Sequence, residues 1–415
     1  MIKLTDKTVA TSSASGDNIF INRNGAIMQV GMSSFSPPIV PSATGNVIPI
    51  TDSSDRPLVD LTVFGNTTQN GTPTPENPID LDSVVNPVVR ITGKNLVENT
   101  ATTQTVNGVT FTVNSDGTIT ASGTATALAS VAVNANVPLA IGNYIVSDGV
   151  GDYTNFFTQV IVTKKDGTQS YYATGTKPNF SISDGDSVKV LAFVRANVTA
   201  TNLVFKPMIR LASITDSTYE PYKSQTLSIP YTLNGVGDVK DYVDFERGVL
   251  VRNTARHQLT SSMAWSVNAS GKRVYTILPA GVVTATSSDV LCTHATKGSW
   301  NNDTSGTVCI GNSTTPVCGF ATSDFATVEE LKSWLDSQTD GVFIVVPLIT
   351  PTEIPLTAEE IEAFKQLTTY KPVTTITNSE GAEMGVSYCA DTKLYIDNKL
   401  ASLVASATTT DTTEV

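Results

Sequence analysis

From Val109 onward the sequence repeats one local pattern. A short run rich in Val, Ile, Phe, Tyr and Thr ends at Gly, Asn or Asp, and another run follows. Val109–Val113 and Thr118–Thr120 flank Asn114-Ser-Asp-Gly117, the signature of a hairpin. Further strands are predicted at 130–135, 142–147, 156–163, 170–174, 179–183, 187–195 and 202–211, with turns at Asp166-Gly167 and Asp184-Gly185. Short strands at this spacing leave room for a sandwich or jelly roll and little for helices.

Composition points the same way. The chain holds about 60 threonines, with abundant Val, Asn and Ser, a bias toward strands and turns. The 415 residues are enough for two to four domains at the usual roughly 100–200 residues each. Only 15% of them are charged, and the net charge is −12. An acidic chain of this kind is poorly suited to nucleic acid, which needs clustered Lys and Arg. The N-terminal stretch lacks the apolar core of a signal peptide, and the densest apolar run, from Gly341, is short and broken by Pro347. A soluble, cytoplasmically made chain with reduced cysteines is expected, with no membrane partner.

The fold class expected is therefore mainly β and modular, with β-sandwich or jelly-roll domains and a few short helices near the C-terminus. Residues 1–35 read as a hairpin unit around Asn24-Gly25, 36–55 as a Pro-rich linker, and 56–93 as a small β connector. Residues 94–222 form the sandwich, 223–350 a second mainly β domain with one helix, 351–405 a helical region, and 406–415 a disordered tail. Three helices are predicted. Thr327-Val-Glu-Glu330 is a capping box ahead of Val328, Leu331, Trp334 and Leu335, and Thr357-Ala-Glu-Glu360 is another ahead of Ile361, Phe364 and Leu367. The third, over 391–404, places Ile396, Leu400 and Leu403 on one stripe.

Chemistry-bearing residues are sparse. Cys292, His294, Cys309 and Cys318 have no C-x₂-C spacing, so they read as buried hydrophobes; a zinc site or a Cys309–Cys318 bridge is the alternative. The two histidines, His257 and His294, lack a nucleophile elbow and read as surface or hydrogen-bonding residues. Asp148, Asp152, Asp184 and Asp186 sit in turns where Asp caps its own backbone, with calcium ligation as the alternative. No catalytic residue, metal or cofactor is assigned. Aromatic rings can stack on sugars, and Tyr153, Tyr171, Tyr172, Trp265 and Trp300 are the carbohydrate-contact candidates, beside Phe156 and Phe157.

An ordered series of motifs goes further. Gly71-Thr-Pro-Thr-Pro-Glu-Asn-Pro-Ile79 resembles a segment of tail and baseplate structural proteins from phages of Gram-positive bacteria. Lys94-Asn-Leu96 and Asn107–Ala125 resemble the opening of a jelly-roll module common in those proteins, and Phe205–Tyr222 its ending. Tyr231–Gly248 resembles the next segment of the series in those proteins, and Leu348–Glu360, Ile376–Ala382 and Tyr388–Lys399 resemble the end of the series, in order.

The resemblance implies a non-enzymatic virion protein of tail-fibre or baseplate type, assembled in the host cytoplasm. It would present a carbohydrate-binding-like module for attachment to a host-surface glycan or protein. A depolymerase on a similar scaffold, or a head fibre or decoration protein, is the alternative. The N-terminal hairpin resembles virion anchors, with Ile19, Phe20, Ile21, Ile27 and Val30 as contacts to other virion proteins. Threefold association is usual in phage fibres, so the Ile396, Leu400 and Leu403 stripe is read as a homotrimer contact, with packing on the chain's own β domain as the alternative.

Overall fold

The structure is a computed structural model. It describes residues 18–23, 26–31, 39–51, 53, 55–279, 281–282, 289–311, 315–378 and 381–389. The fold is mainly β, built of several sheets, with two helices among the described residues.

Three apolar cores organise these sheets. The first lies within residues 94–222. One of its sheets orders Thr199–Phe205, Ile119–Thr124, Val109–Val113 and Gln104–Val106. Another orders Ala129–Asn134, Ser187–Val194, Phe156–Thr163 and Gln169–Ala173. Between them Phe111, Ile119, Val131, Val160, Val190 and Phe205 are buried. The alternation expected of a half-buried strand is visible along Phe156–Thr163, where Thr158, Val160 and Val162 face the core. The strand expected over 202–211 is two strands, Thr199–Phe205 and Met208–Leu211, because Pro207 has no N–H to continue a ladder.

The second core is discontinuous in sequence. A four-stranded sheet orders Ser224–Ser228, Val88–Thr92, Val373–Asn378 and Val47–Thr51. It buries Ile48, Val89, Ile91, Leu227 and Ile376 against Leu61, Val63, Val243, Met384 and Tyr388 of a seven-stranded sheet. The sandwich is an excursion from this module. It leaves through Val88–Thr92 and returns through Ser224–Ser228, antiparallel neighbours in which Thr92 faces Ser224.

The third core is a second excursion. Strands Val249–Leu259 and Val342–Pro355 pair from Val249↔Pro355 to Leu259↔Val342 and carry the chain out of the second core. Their far ends join the core of Trp265, Val274, Ile310, Phe320, Leu331, Leu335 and Ile344. The register slips between Arg252 and Thr254, where the pair passes from one core to the next. Asp241, fully buried, holds that slip. Its carboxylate accepts from the backbone N–H of Asn253 and of Thr254, both at 2.9 Å, and from Arg252 at 3.0 Å.

Several sequence expectations are corrected here. The linker over 36–55 contains strands Ile39–Gly45 and Val47–Thr51. Both lie at sheet edges, where a proline can point its missing donor outward; Pro49 faces Thr375, and Pro41 sits at a register break. The 56–93 connector belongs to the second core rather than standing alone. Residues 351–389 carry a helix but return to that core as two strands, Val373–Asn378 and Glu383–Cys389.

The helices at Val328–Ser337 and Ala358–Lys365 have the capping boxes read from sequence, Thr327 with Glu330 and Thr357 with Glu360. The predicted helix over 391–404, with Ile396, Leu400 and Leu403, lies outside the described residues. Asn18–Arg23 and Ala26–Gly31 pair as a two-stranded sheet of their own. The Asn24-Gly25 turn between them, and the side chains of Ile19, Phe20, Ile21, Ile27 and Val30, lie outside the described residues.

Candidate carbohydrate-contact site

Strand alternation puts Phe157, Gln159 and Tyr171 on the face of the sandwich sheet opposite its core. Phe157 opposes Phe193 on the next strand, and the rings stack with centroids 5.0 Å apart and planes 10° from parallel. The Arg195 guanidinium lies 5.1 Å over Phe157, and its Nε donates to the Thr154 carbonyl at 2.7 Å.

Tyr153 closes one side. Its ring rests on Gly175, where a Cβ would stand 2.3 Å from the Tyr153 Cγ, and Gly175 has φ +77°. Only glycine meets both demands at once. Tyr171 is 52% exposed, and its hydroxyl donates to Gln169 at 2.8 Å. With Gln159, Thr176 and Lys177 these residues line a surface cleft of about 350 Å³.

Electrostatics follow from the same residues. Asp148 lies fully buried behind the cleft, where its carboxylate accepts from the Thr158 N–H and the Thr174 hydroxyl, each at 2.7 Å. Burial, then the Asp148 charge, push the Tyr153 hydroxyl above its ordinary range, so it stays a neutral donor. Flat rings beside amide, hydroxyl and cationic donors can hold a sugar by stacking and hydrogen bonding.

Of the five sequence candidates, the cleft brings together Tyr153 and Tyr171. Tyr172 faces the other side of its strand, packed on Phe180 with centroids 5.6 Å apart and with Lys177 Nζ 4.4 Å over its ring. Trp265 is a correction. It is buried in the third core, its indole N–H donating to Thr260, so it offers no face to a ligand. Trp300 is half-buried in the same module, edge-on to Tyr275 and against Gly311, apart from the cleft. Sequence reasoning missed Gln159, Lys177 and Arg195. Their signal is weak, a cation in the turn after one strand and another just past the end of a second.

The remaining candidates are structural. Cys292, Cys309 and Cys318 are buried free thiols. No group of His, Cys, Asp or Glu suited to a metal occurs among the described residues. His294 is buried between Thr293, 2.8 Å from Nδ1, and Gln338, 3.2 Å from Nε2; burial lowers its pKa and keeps it neutral at pH 7. It borders a cavity of about 260 Å³ with Asp80, Arg256 and Asp340. Here the Gly71–Ile79 segment docks, Gln69 donating to Ile79 and Cys292 and the Ile79 N–H to Thr293. Among the described residues no helix is long and apolar enough to cross a membrane. Comparison with protein-family models, with curated proteins and with solved structures finds no match.

Proposed function

We propose that this chain is a non-enzymatic structural component of a phage particle, of the tail-fibre or baseplate type, and that its 94–222 module meets a glycan on the host surface. One observation carries the reading. The motifs of the ordered series are the places where the fold is fastened: Lys94 to Asp216 and Glu220, Ile79 to Thr293, and Asp241 at the slip between two cores. A sequence that invests motifs in closing a module and in joining modules to one another suits a scaffold. The cleft of Tyr153 and Tyr171 supplies the contact surface on the sandwich.

The same reading includes anchorage to other virion proteins through the Asn18–Gly31 hairpin. It also includes a homotrimer, for which the Ile396, Leu400 and Leu403 stripe is the sequence support. The test is immunogold electron microscopy of purified particles with antibody to the 94–222 module, alongside binding of the free chain to host cell-wall polysaccharide. Label at the distal tail and retention on the polysaccharide are expected, with no new reducing ends. Absence of the chain from particles, or release of reducing ends that a single carboxylate substitution abolishes, overturns the reading.

A further inference from the structure

We infer that the cleft is built for an acidic glycan, a sugar chain bearing carboxylate or phosphate groups; this rests on the glycan-contact reading above. The lining contains two cations, Lys177 and Arg195, and no carboxylate. The other concavities carry more carboxylates than cations. The one beside His294 sets Arg256 among Asp80 and Asp340, and one beside Phe64 and Tyr242 sets Lys240 among Asp238 and Glu383. In a chain of net charge −12, two cations in a lining that has no carboxylate of its own, the Asp148 carboxylate being buried behind it, mark the place where an anionic polymer meets attraction rather than repulsion.

Arg195 is held for that role. Stacking on Phe157 and the Nε bond to Thr154 fix the plane of its guanidinium, which leaves its two terminal nitrogens for a ligand. That fork matches the paired oxygens of a carboxylate or phosphate. Lys177 lines the rim on the edge strand side with its ammonium over the Tyr172 ring, a point charge at the border of the cleft, while the Tyr153 and Tyr171 rings provide stacking faces that any pyranose can use. The rings serve binding in general, and the cations select charge.

The experiment is an array of neutral hexose oligomers, uronic-acid oligomers and phosphate-bearing oligomers on one linker. It is probed with the full chain and with R195Q, K177Q and Y153A. Both cations are exposed, so their variants keep the fold; a thermal melt checks this for all three. The wild type is expected to bind one acidic class about tenfold or more tighter than the neutral class, a difference of about 1.4 kcal/mol. Binding should weaken as salt rises to about 0.3 M, where screening shortens below about 8 Å. R195Q and K177Q should each lose most of the preference for acidic members, and Y153A should lose binding to every member. The uronate and phosphate arms identify which anion is read. Equal binding of neutral and acidic oligomers, unchanged in R195Q, overturns the acidic preference and leaves the glycan reading standing. Acidic binding that survives all three substitutions overturns the cleft as its site. No binding to any class by the wild type overturns both.

Discussion

The Lys94 ammonium, with no exposed side-chain surface, lies 2.6 Å from Asp216 and 3.1 Å from Glu220, joining the first residues of the sandwich to its last. Thr218 accepts a third bond from it at 2.9 Å. Asn95 repeats the tie, donating to the Glu220 carbonyl at 3.0 Å, and Leu96 enters the core. The excursion is thus closed where it begins, by residues some 120 positions apart in sequence.

Removing either partner has unequal consequences. Asp216→Asn leaves a buried ammonium short of its nearest anion and is expected to cost about 3 kcal/mol. Lys94→Met removes the buried charge itself and is expected to cost about half that, because Asp216 can turn to water. Urea unfolding of the two variants checks the order. A larger loss in Lys94→Met would show that the pair's Coulomb attraction outweighs desolvation.

The pH dependence follows from the same pair. The hydrogen bond from Lys94, then those from Thr218, hold the Asp216 carboxyl well below its ordinary value of 3.8. A depressed folded value means a contribution that is complete above the unfolded value and lost as pH falls through the folded one. Stability of the sandwich should therefore decline from about pH 4 downward, less steeply in Asp216→Asn. Melting curves of both proteins across pH 2 to 6 (about two units either side of 4) are the check, and identical slopes would exclude Asp216 as the source.

The sandwich should also survive excision. Its two ends emerge at Thr92 and Ser224, which face each other on adjacent strands, and the Lys94 cluster lies inside them. Limited proteolysis is expected to yield a stable fragment spanning about 94–222, identified by mass spectrometry. Continuous degradation without a resistant species would mean that the sandwich depends on the second core.

Local features were legible in the sequence and distant pairings were not. Strands Gly142–Ser147 and Phe156–Thr163 match their predicted bounds, and the capping boxes of Thr327 and Thr357 form as read, because alternation and capping are decided within a few residues. The second core escaped because Val88–Thr92 pairs with Ser224–Ser228 and Val373–Asn378, and no periodicity records a partner that far along the chain. The cleft was half-legible. Tyr153 and Tyr171 stand out by residue type, whereas Arg195 gains its meaning only from the ring of Phe157 beneath it.

The three described thiols should resist modification. Burial pushes Cys292 up to about 12 and Cys309 to about 11, and raises Cys318 well above its ordinary value. With no thiolate near neutral pH, none can attack an alkylating reagent. Peptide mapping after iodoacetamide treatment of the native chain is expected to find Cys292, Cys309 and Cys318 unmodified, and all three modified in denaturant. Native labelling of Cys309 or Cys318 would show that the third core opens readily.

Gly175 separates binding from stability. Gly175→Ala forces a side chain into a left-handed turn at a cost of about 1–2 kcal/mol, and its methyl would occupy the space of the Tyr153 ring. The turn is exposed, so the ring can swing outward and the core stays closed. Glycan retention is therefore expected to fall about as far as in Tyr153→Ala, while the melting temperature drops by only a few degrees, as about 1 kcal/mol implies for a module of this size. Affinity electrophoresis in host polysaccharide, run beside thermal melts, measures both. Unchanged retention in Gly175→Ala would mean that Tyr153 is not positioned by this contact, and retention lost only together with folding would mean that the turn serves the sandwich rather than the cleft.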